Sequence, residues 1–259
     1  MNQSNHIIPA ATVLICRDAP DGLETFMVVR HHQIDFASGA LVFPGGKIAD
    51  SDRDPDVAAR CEGAGDDDVA MRAMKIGAIR EAFEECGVLF ARSNGSGELV
   101  SGERAMTLDH YRKPLAVGEL GMAEFLDQED LVLACDRLHH CAHWITPKGM
   151  PKRFDTHFFL ALAPGDQVAA HDGEESVDSV WISPEAALAD AESGARTIMF
   201  PTRCNLMVLG ESTTVDEAIE KARARGVVTV EPTVEQTDGK VYVNIPADAG
   251  YSLTRELIR

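Results

Sequence analysis

The chain lacks any apolar run near the roughly 18 to 20 residues that cross a bilayer, so no membrane-spanning helix is expected. Its start, MNQSNHIIPAATVLIC, has no basic segment ahead of the apolar one and reads as a strand rather than a signal peptide. Its end, ELIR, is not a peroxisomal Ser-Lys-Leu signal. A cytoplasmic protein without a membrane partner is expected. No C-x-x-C pair occurs among Cys16, Cys61, Cys86, Cys135, Cys141 and Cys204. Neither a disulfide framework nor a paired-cysteine zinc site is expected, and the thiols read as reduced and idle. No internal repeat is visible. Positive charge is scarce: 24 Lys and Arg face 42 Asp and Glu, a formal net charge of −18. That field repels nucleic acid, and no basic patch is segregated against it. Small anionic substrates stay open where divalent cations mediate the contact.

The hydrophobic fraction of 45% suits a chain with a real core. Residues 7–16 and 25–30 are β-branched and apolar runs around the turn cluster DAPDG, and read as strands. A third run, ALVFPGGK at 40–47, ends in Pro44-Gly45-Gly46. Residues 50–68, rich in Asp, Gly, Pro and Arg, predict a mobile acidic insertion whose last aspartates can cap a helix. That helix is predicted over about 67–86. Residues 93–130 read as a loop and helical pieces, which together with the 50–68 insertion can act as a lid or a dimer contact. LHHCAHWITP, RFDTHFFLAL and SVDSVWI read as strands, SPEAALADAESG and TVDEAIEKARARG as helices, and QTDGKVYVNI as a hairpin about Asp238-Gly239. Mixed strands and helices predict an α/β (α+β) fold in one domain over 1–259, with insertions near 50–68 and 93–130 and a C-terminal extension from about 211.

Within AIREAFEECGV, Glu81, Glu84 and Glu85 fall at i, i+3 and i+4. Like charges at that spacing weaken a helix by tenths of a kcal/mol per pair. Ile76, Ile79, Phe83 and Cys86 form the opposite, apolar stripe. Either the acidic face is solvated or something cationic sits on it. Three carboxylates held on one face make an oxygen-rich site for Mg²⁺ or Mn²⁺. The glycine turn at Gly46 can bring a carbonyl ligand close. Gly77 on the same face either leaves room for a ligand or is simply tolerated.

Gly46 together with Arg80, Glu81, Glu84, Glu85, Gly87 and the apolar Ala82 and Val88 resembles the box of the Nudix hydrolases. The first acid of that box falls on Asp52, and the spacing from there to Arg80 is about twenty residues longer than in the family pattern. A long insertion inside the box, with HWITP and PKRFDTHFFLAL further on, is similar to the branch of coenzyme A diphosphatases. The resemblance implies a Nudix fold with a central mixed sheet between helices. It also implies Mg²⁺- or Mn²⁺-dependent hydrolysis of a nucleoside diphosphate linked to another moiety, here coenzyme A or acyl-CoA. ADP-ribose, nucleotide sugars, dinucleotides or a non-catalytic nucleotide-sensing role are the alternatives. It implies metal ligation by Glu81, Glu84, Glu85 and Gly46, and orientation of Glu81 by Arg80, against a plain surface ion pair. A further acid from outside the box, Glu175, competes with Glu81 as the base.

Four other residues are candidates for substrate contact, three of them with a plain alternative. Arg30 and Arg153 can fork onto phosphate oxygens or be ordinary surface arginines. Phe43 and Trp144 can stack on a base, with core packing the alternative for Phe43. His139, His140, His143 and His157 fit no usual zinc spacing and read as structural or substrate-lining. The GAGDDD run reads as solvated rather than as an added cation site. A homodimer is possible.

Overall fold

β1 (Ile7–Ala19) carries apolar residues on both of its faces, which makes it a central strand. Ala11, Val13 and Ile15 enter one core, and Leu14 and Cys16 the other. The structure is a computed structural model, and it describes residues 7–30, 39–173 and 176–257. β2 (Gly22–Arg30) pairs antiparallel with β1. The predicted third run divides at Pro44 into β3 (Leu41–Val42), which pairs with β2, and β4 (Gly45–Lys47), which pairs with β1.

Residues 50–68 are folded, contrary to the mobile insertion expected. A 3₁₀ turn over Asp50–Arg53 leads to α1 (Pro55–Ala58) and β5 (Cys61–Glu62), and Val57 and Ala64 are buried in the first core. Three aspartates of this segment have local tasks rather than a solvated role. Asp54 accepts from the Asp56 amide at the start of α1, Asp67 pairs with Lys75 at 2.7 Å, and Asp68 caps the next helix. That helix, α2 (Val69–Cys86), starts where Asp68 accepts the Met71 amide at 2.7 Å. It stops at Gly87, whose φ of 71° suits glycine.

β6 (Ala91–Ser93), α3 (Gly102–Leu108), α4 (Arg112–Ala116), α5 (Met122–Gln128) and β7 (Leu131–Ala134) fill residues 91–134. β5, β7 and β6 form a small side sheet, and Phe125 of α5 stacks on Phe83 of α2 at 5.6 Å. β8 (His139–Ile145), β9 (Arg153–Leu162) and β10 (Ser176–Ile182) return to the main sheet. α6 (Pro184–Ser193), α7 (Phe200–Leu209), which the sequence pattern does not predict, and α8 (Val215–Arg225) follow. β11 (Thr229–Val230) adds to the sheet edge, and β12 (Thr233–Thr237), β13 (Lys240–Asn244) and β14 (Arg255–Leu257) make a terminal meander. Its hairpin turns through Asp238 and Gly239 at φ 53° and 75°, the conformation a two-residue Asp-Gly turn requires.

The main sheet has the order β10-β2-β1-β9-β8-β11, with β1 and β9 parallel and most other pairs antiparallel. α2 covers the face bearing Ala11, Val13 and Phe159. Residues of α6, α7, α8 and the tail cover the other face, through Ala187, Leu206, Ile219 and Tyr251. The fold is therefore a mixed α/β sandwich, as the sequence predicts.

β4 is held against β1 with no space for a side chain at Gly45. A Cβ there would lie 2.3 Å from the Ala11 carbonyl oxygen, and φ is +152°. Gly45→Ala is expected to destabilise the chain by about 3 kcal/mol, through clash with rigid backbone as well as strain. Urea unfolding should read this as a lower midpoint, and an unchanged midpoint would refute the close approach.

Candidate active site

Arg80 lies in the middle of α2, 9% exposed, among carboxylates. Its Nε donates to Asp52 Oδ1 at 2.9 Å and its Nη2 to Asp52 Oδ2 at 3.0 Å, a forked pair. Nη2 also donates to the Lys47 carbonyl at 2.9 Å. Nη1 reaches Glu84 Oε2 at 2.9 Å and Glu81 Oε1 at 3.0 Å. Asp52, fully buried, thus stands six positions after Gly46 and joins the helix across the insertion. The sequence spacing carried that signal, although Asp52 was not among the residues expected to act.

The acidic face is not a solvated one. Glu84 and Glu85 are 8% and 5% exposed. Glu85 Oε2 accepts the Gly45 amide at 3.0 Å, and a Cβ at Gly46 would lie 2.5 Å from Glu81 Oε1. The two glycines therefore press the β4 backbone onto the carboxylates. Gly77 leaves room for protein rather than ligand: a Cβ there would meet Ile48 at 2.5 Å and Asp52 Oδ2 at 2.9 Å.

Burial works to discharge Arg80, yet its bond to Asp52 and the charges of Glu81 and Asp52 hold it firmly protonated. Burial also pushes the Glu84 carboxyl up to about 7, with Arg80 opposing and Glu81 adding to the rise. Arg80 thus contacts three carboxylates, those of Asp52, Glu84 and Glu81. Glu84 Oε1 is buried and has no hydrogen-bond partner among the described residues. An orphaned oxygen among carboxylates, beside a glycine backbone, fits a hard dication. Glu81, Glu84 and Glu85, with the Gly46 carbonyl, are the residues that would hold it.

The other expected contacts divide. Phe43 and Trp144 are each 3% exposed in the second core, away from α2, and Trp144 Nε1 donates to the Tyr251 hydroxyl at 3.1 Å. Neither presents a ring to a ligand, which corrects the stacking role expected of them. Arg153 is 5% exposed and bound to Glu231 and the Thr146 carbonyl, so it too is a structural residue rather than a phosphate contact. Arg30 ends β2, and its Nε is buried without a hydrogen-bond partner among the described residues. Glu175 lies outside the described residues. His140, His143 and His157 come together on β8 and β9, while His139 stands apart beside Arg223. Burial lowers both His140 and His157 to about 4, so both are neutral near pH 7.

The NUDT19 Nudix domain model matches residues 60–203, more than half of the chain. The chain belongs to the Nudix family. A Nudix hydrolase structure from Alicyclobacillus acidocaldarius superposes with a TM-score of 0.67 at 26% identity, over 84% of this chain and 97% of that one. Human acyl-coenzyme A diphosphatase NUDT19 is 32% identical over 44% of this chain and 33% of its own length. Putative nudix hydrolase 7 of Caenorhabditis elegans is 26% identical over 71% of this chain and 54% of its own length. The chain thus spans about half or less of these two curated relatives. Arg80, Glu81, Glu84 and Glu85 lie within the matched span, and Gly46 and Asp52 lie ahead of it. Among the described residues of this Nudix chain no helix is long and apolar enough to cross a membrane.

Asp52→Ala leaves Arg80 buried without its forked partner, and should cost about 3–5 kcal/mol in urea unfolding. A loss below about 1 kcal/mol would contradict a buried pair. Glu84 supplies a pH test in metal-free protein. Its folded-state pKa is raised from 4.5 to about 7, so its contribution is full below pH 4.5 and is lost as pH rises through about 7. Relative to Glu84→Gln, the wild type should lose up to about 3 kcal/mol between about pH 5 and pH 8 in chelator. A pH-independent difference would contradict the raised pKa.

Proposed function

We propose that the chain is a divalent-metal-dependent hydrolase that cleaves the diphosphate linkage of a nucleoside diphosphate joined to another moiety. We infer coenzyme A or an acyl-coenzyme A as the preferred substrate. The observation that carries the reaction class is the buried carboxylate cluster around Arg80, with Glu84 Oε1 lacking a hydrogen-bond partner among the described residues. The Nudix membership supports the chemistry, and the name of the human relative, acyl-coenzyme A diphosphatase, supports the substrate.

Bound Mg²⁺ or Mn²⁺ would neutralise the diphosphate and acidify a water. The chain's own residues do the rest. Arg80 locks the Glu84 and Glu81 carboxylates in place, so they lose little freedom when the site fills. The β4 backbone at Gly45 fixes Glu85 in the same way. Glu81 is the proposed proton acceptor for the attacking water, with Glu175 the rival. Arg30 is the proposed contact for a phosphate oxygen, since its Nε has no hydrogen-bond partner among the described residues.

Glu84→Gln and Glu85→Gln should each lower turnover by about 10²-fold or more, a loss of about 3 kcal/mol in the transition state. Full turnover in both would end the assignment and favour a nucleotide-sensing module. Phosphorus NMR over coenzyme A, acyl-CoA, ADP-ribose, a nucleotide sugar and a dinucleotide should show coenzyme A compounds cleaved fastest. Turnover of ADP-ribose with inert coenzyme A would reverse the substrate order and leave the reaction class standing.

A further inference from the structure

We propose that His143, His157 and Asp155 form a second cation site, distinct from the Nudix box, that takes a borderline dication of the Zn²⁺ class. One donor atom from each of the three residues lies within 4.8 Å of the others. The imidazoles of His143 and His157 are stacked, with centroids 4.0 Å apart and planes at 18°. His143 Nε2 is in close contact with Asp155 Oδ1. All three residues are only partly buried, so an ion can enter from solvent.

The surroundings orient the ligands as metal sites require. His143 Nδ1 lies 2.8 Å from Thr229 Oγ1, which would accept its proton once Nε2 gives up its present contact with Asp155 Oδ1 and binds a cation. His157 Nδ1 lies 2.9 Å from His140 Nε2, which can accept in turn and free the other nitrogen of His157. The charge of Asp68, at the N-terminus of α2, also acts on His157 and adds to the attraction for a cation.

The sheet register separates this cluster from the box and yet aligns the two. Gly46 pairs with Ala11, Ala11 with His157, and His157 with His143, in one transverse row. Two strand spacings put the His157 backbone about 10 Å from that of Gly46. His157 and Asp155 share the α2 face with Phe159 by strand alternation, and His140 packs on Phe159 at 5.4 Å. The donor sets differ in kind. Imidazole nitrogen with one carboxylate suits Zn²⁺ and its neighbours, whereas the all-oxygen box suits Mg²⁺ or Mn²⁺. Sequence spacing could not show this, because the ligands lie on two strands that only pairing brings together. The proposal stands independently of the hydrolase reading.

The test titrates Co²⁺ into the whole chain and follows visible d–d absorption. One Co²⁺ per chain is expected, displaced by Zn²⁺ and not by Mg²⁺, in both the wild type and the Glu84→Gln/Glu85→Gln double variant. His143→Ala and His157→Ala should each weaken binding by about 100-fold or more, and Asp155→Asn by about 10-fold or more. Circular dichroism checks that the variants fold. Should either alanine variant unfold, the shape-preserving Asp155→Asn decides. Absence of the band overturns the proposal. So does a band lost in the box double variant, or one kept at full affinity in the His143, His157 and Asp155 variants that fold.

Discussion

The site depends on one buried guanidinium. Arg80 is bound by Asp52, Glu84, Glu81 and the Lys47 carbonyl at once, so it ties the β4 turn to α2. Remove that charge and several carboxylates would face one another in a medium where repulsion is far stronger than in water. Burying such a pair gains little net stability by itself, since desolvation offsets most of the attraction. What it secures is geometry. The chain between Asp52 and Arg80 is long, yet closing a long loop costs only slightly more than closing a short one. The insertion also packs into the first core through Val57 and Ala64, so it does not loosen the connection.

Around that centre the packing leaves few free choices. α2 is buried on its apolar stripe by β1 and by Phe125, and on its acidic side by Ile48, Asp52 and the β4 backbone. Glycines mark the places where backbone or carboxylate must approach too closely for a side chain. Gly45 faces the Ala11 carbonyl, Gly46 the Glu81 carboxylate, and Gly77 the Asp52 carboxylate. The unfavourable row of glutamates is thus stabilised by its setting, with Glu84 Oε1 lacking a hydrogen-bond partner among the described residues.

The second face of the sheet does structural work. Phe43, Trp144 and Tyr251 lie in its core with α7 and the terminal meander, where Trp144 Nε1 donates to the Tyr251 hydroxyl and that hydroxyl to Asn205 Oδ1. Aromatic residues that attract attention in the sequence are therefore core in the fold. Imidazoles that fit no spacing rule are neighbours in the fold, since strand pairing is long-range and its register is set by the whole sheet.

Much of the fold could be read directly. The strands at 7–16 and 25–30, the capped helix ending at Gly87, and the Asp238-Gly239 hairpin are local patterns with local causes. The acidic row was legible for the same reason, because Arg80, Glu81, Glu84 and Glu85 sit on consecutive turns of one helix. The order within 50–68 was not, since an aspartate that caps or pairs has the same composition as one that is solvated. Helix α7 was missed because its buried residues meet both the sheet and the tail, and its pattern is weakly one-sided. From residue types and spacing alone came the strands, the helix and its acidic row. Only the tertiary structure decided that Asp52 holds Arg80, that Phe43, Trp144 and Arg153 are structural, and that three histidines meet. Periodicity records what one segment buries, whereas partners far apart in sequence are chosen when segments pack.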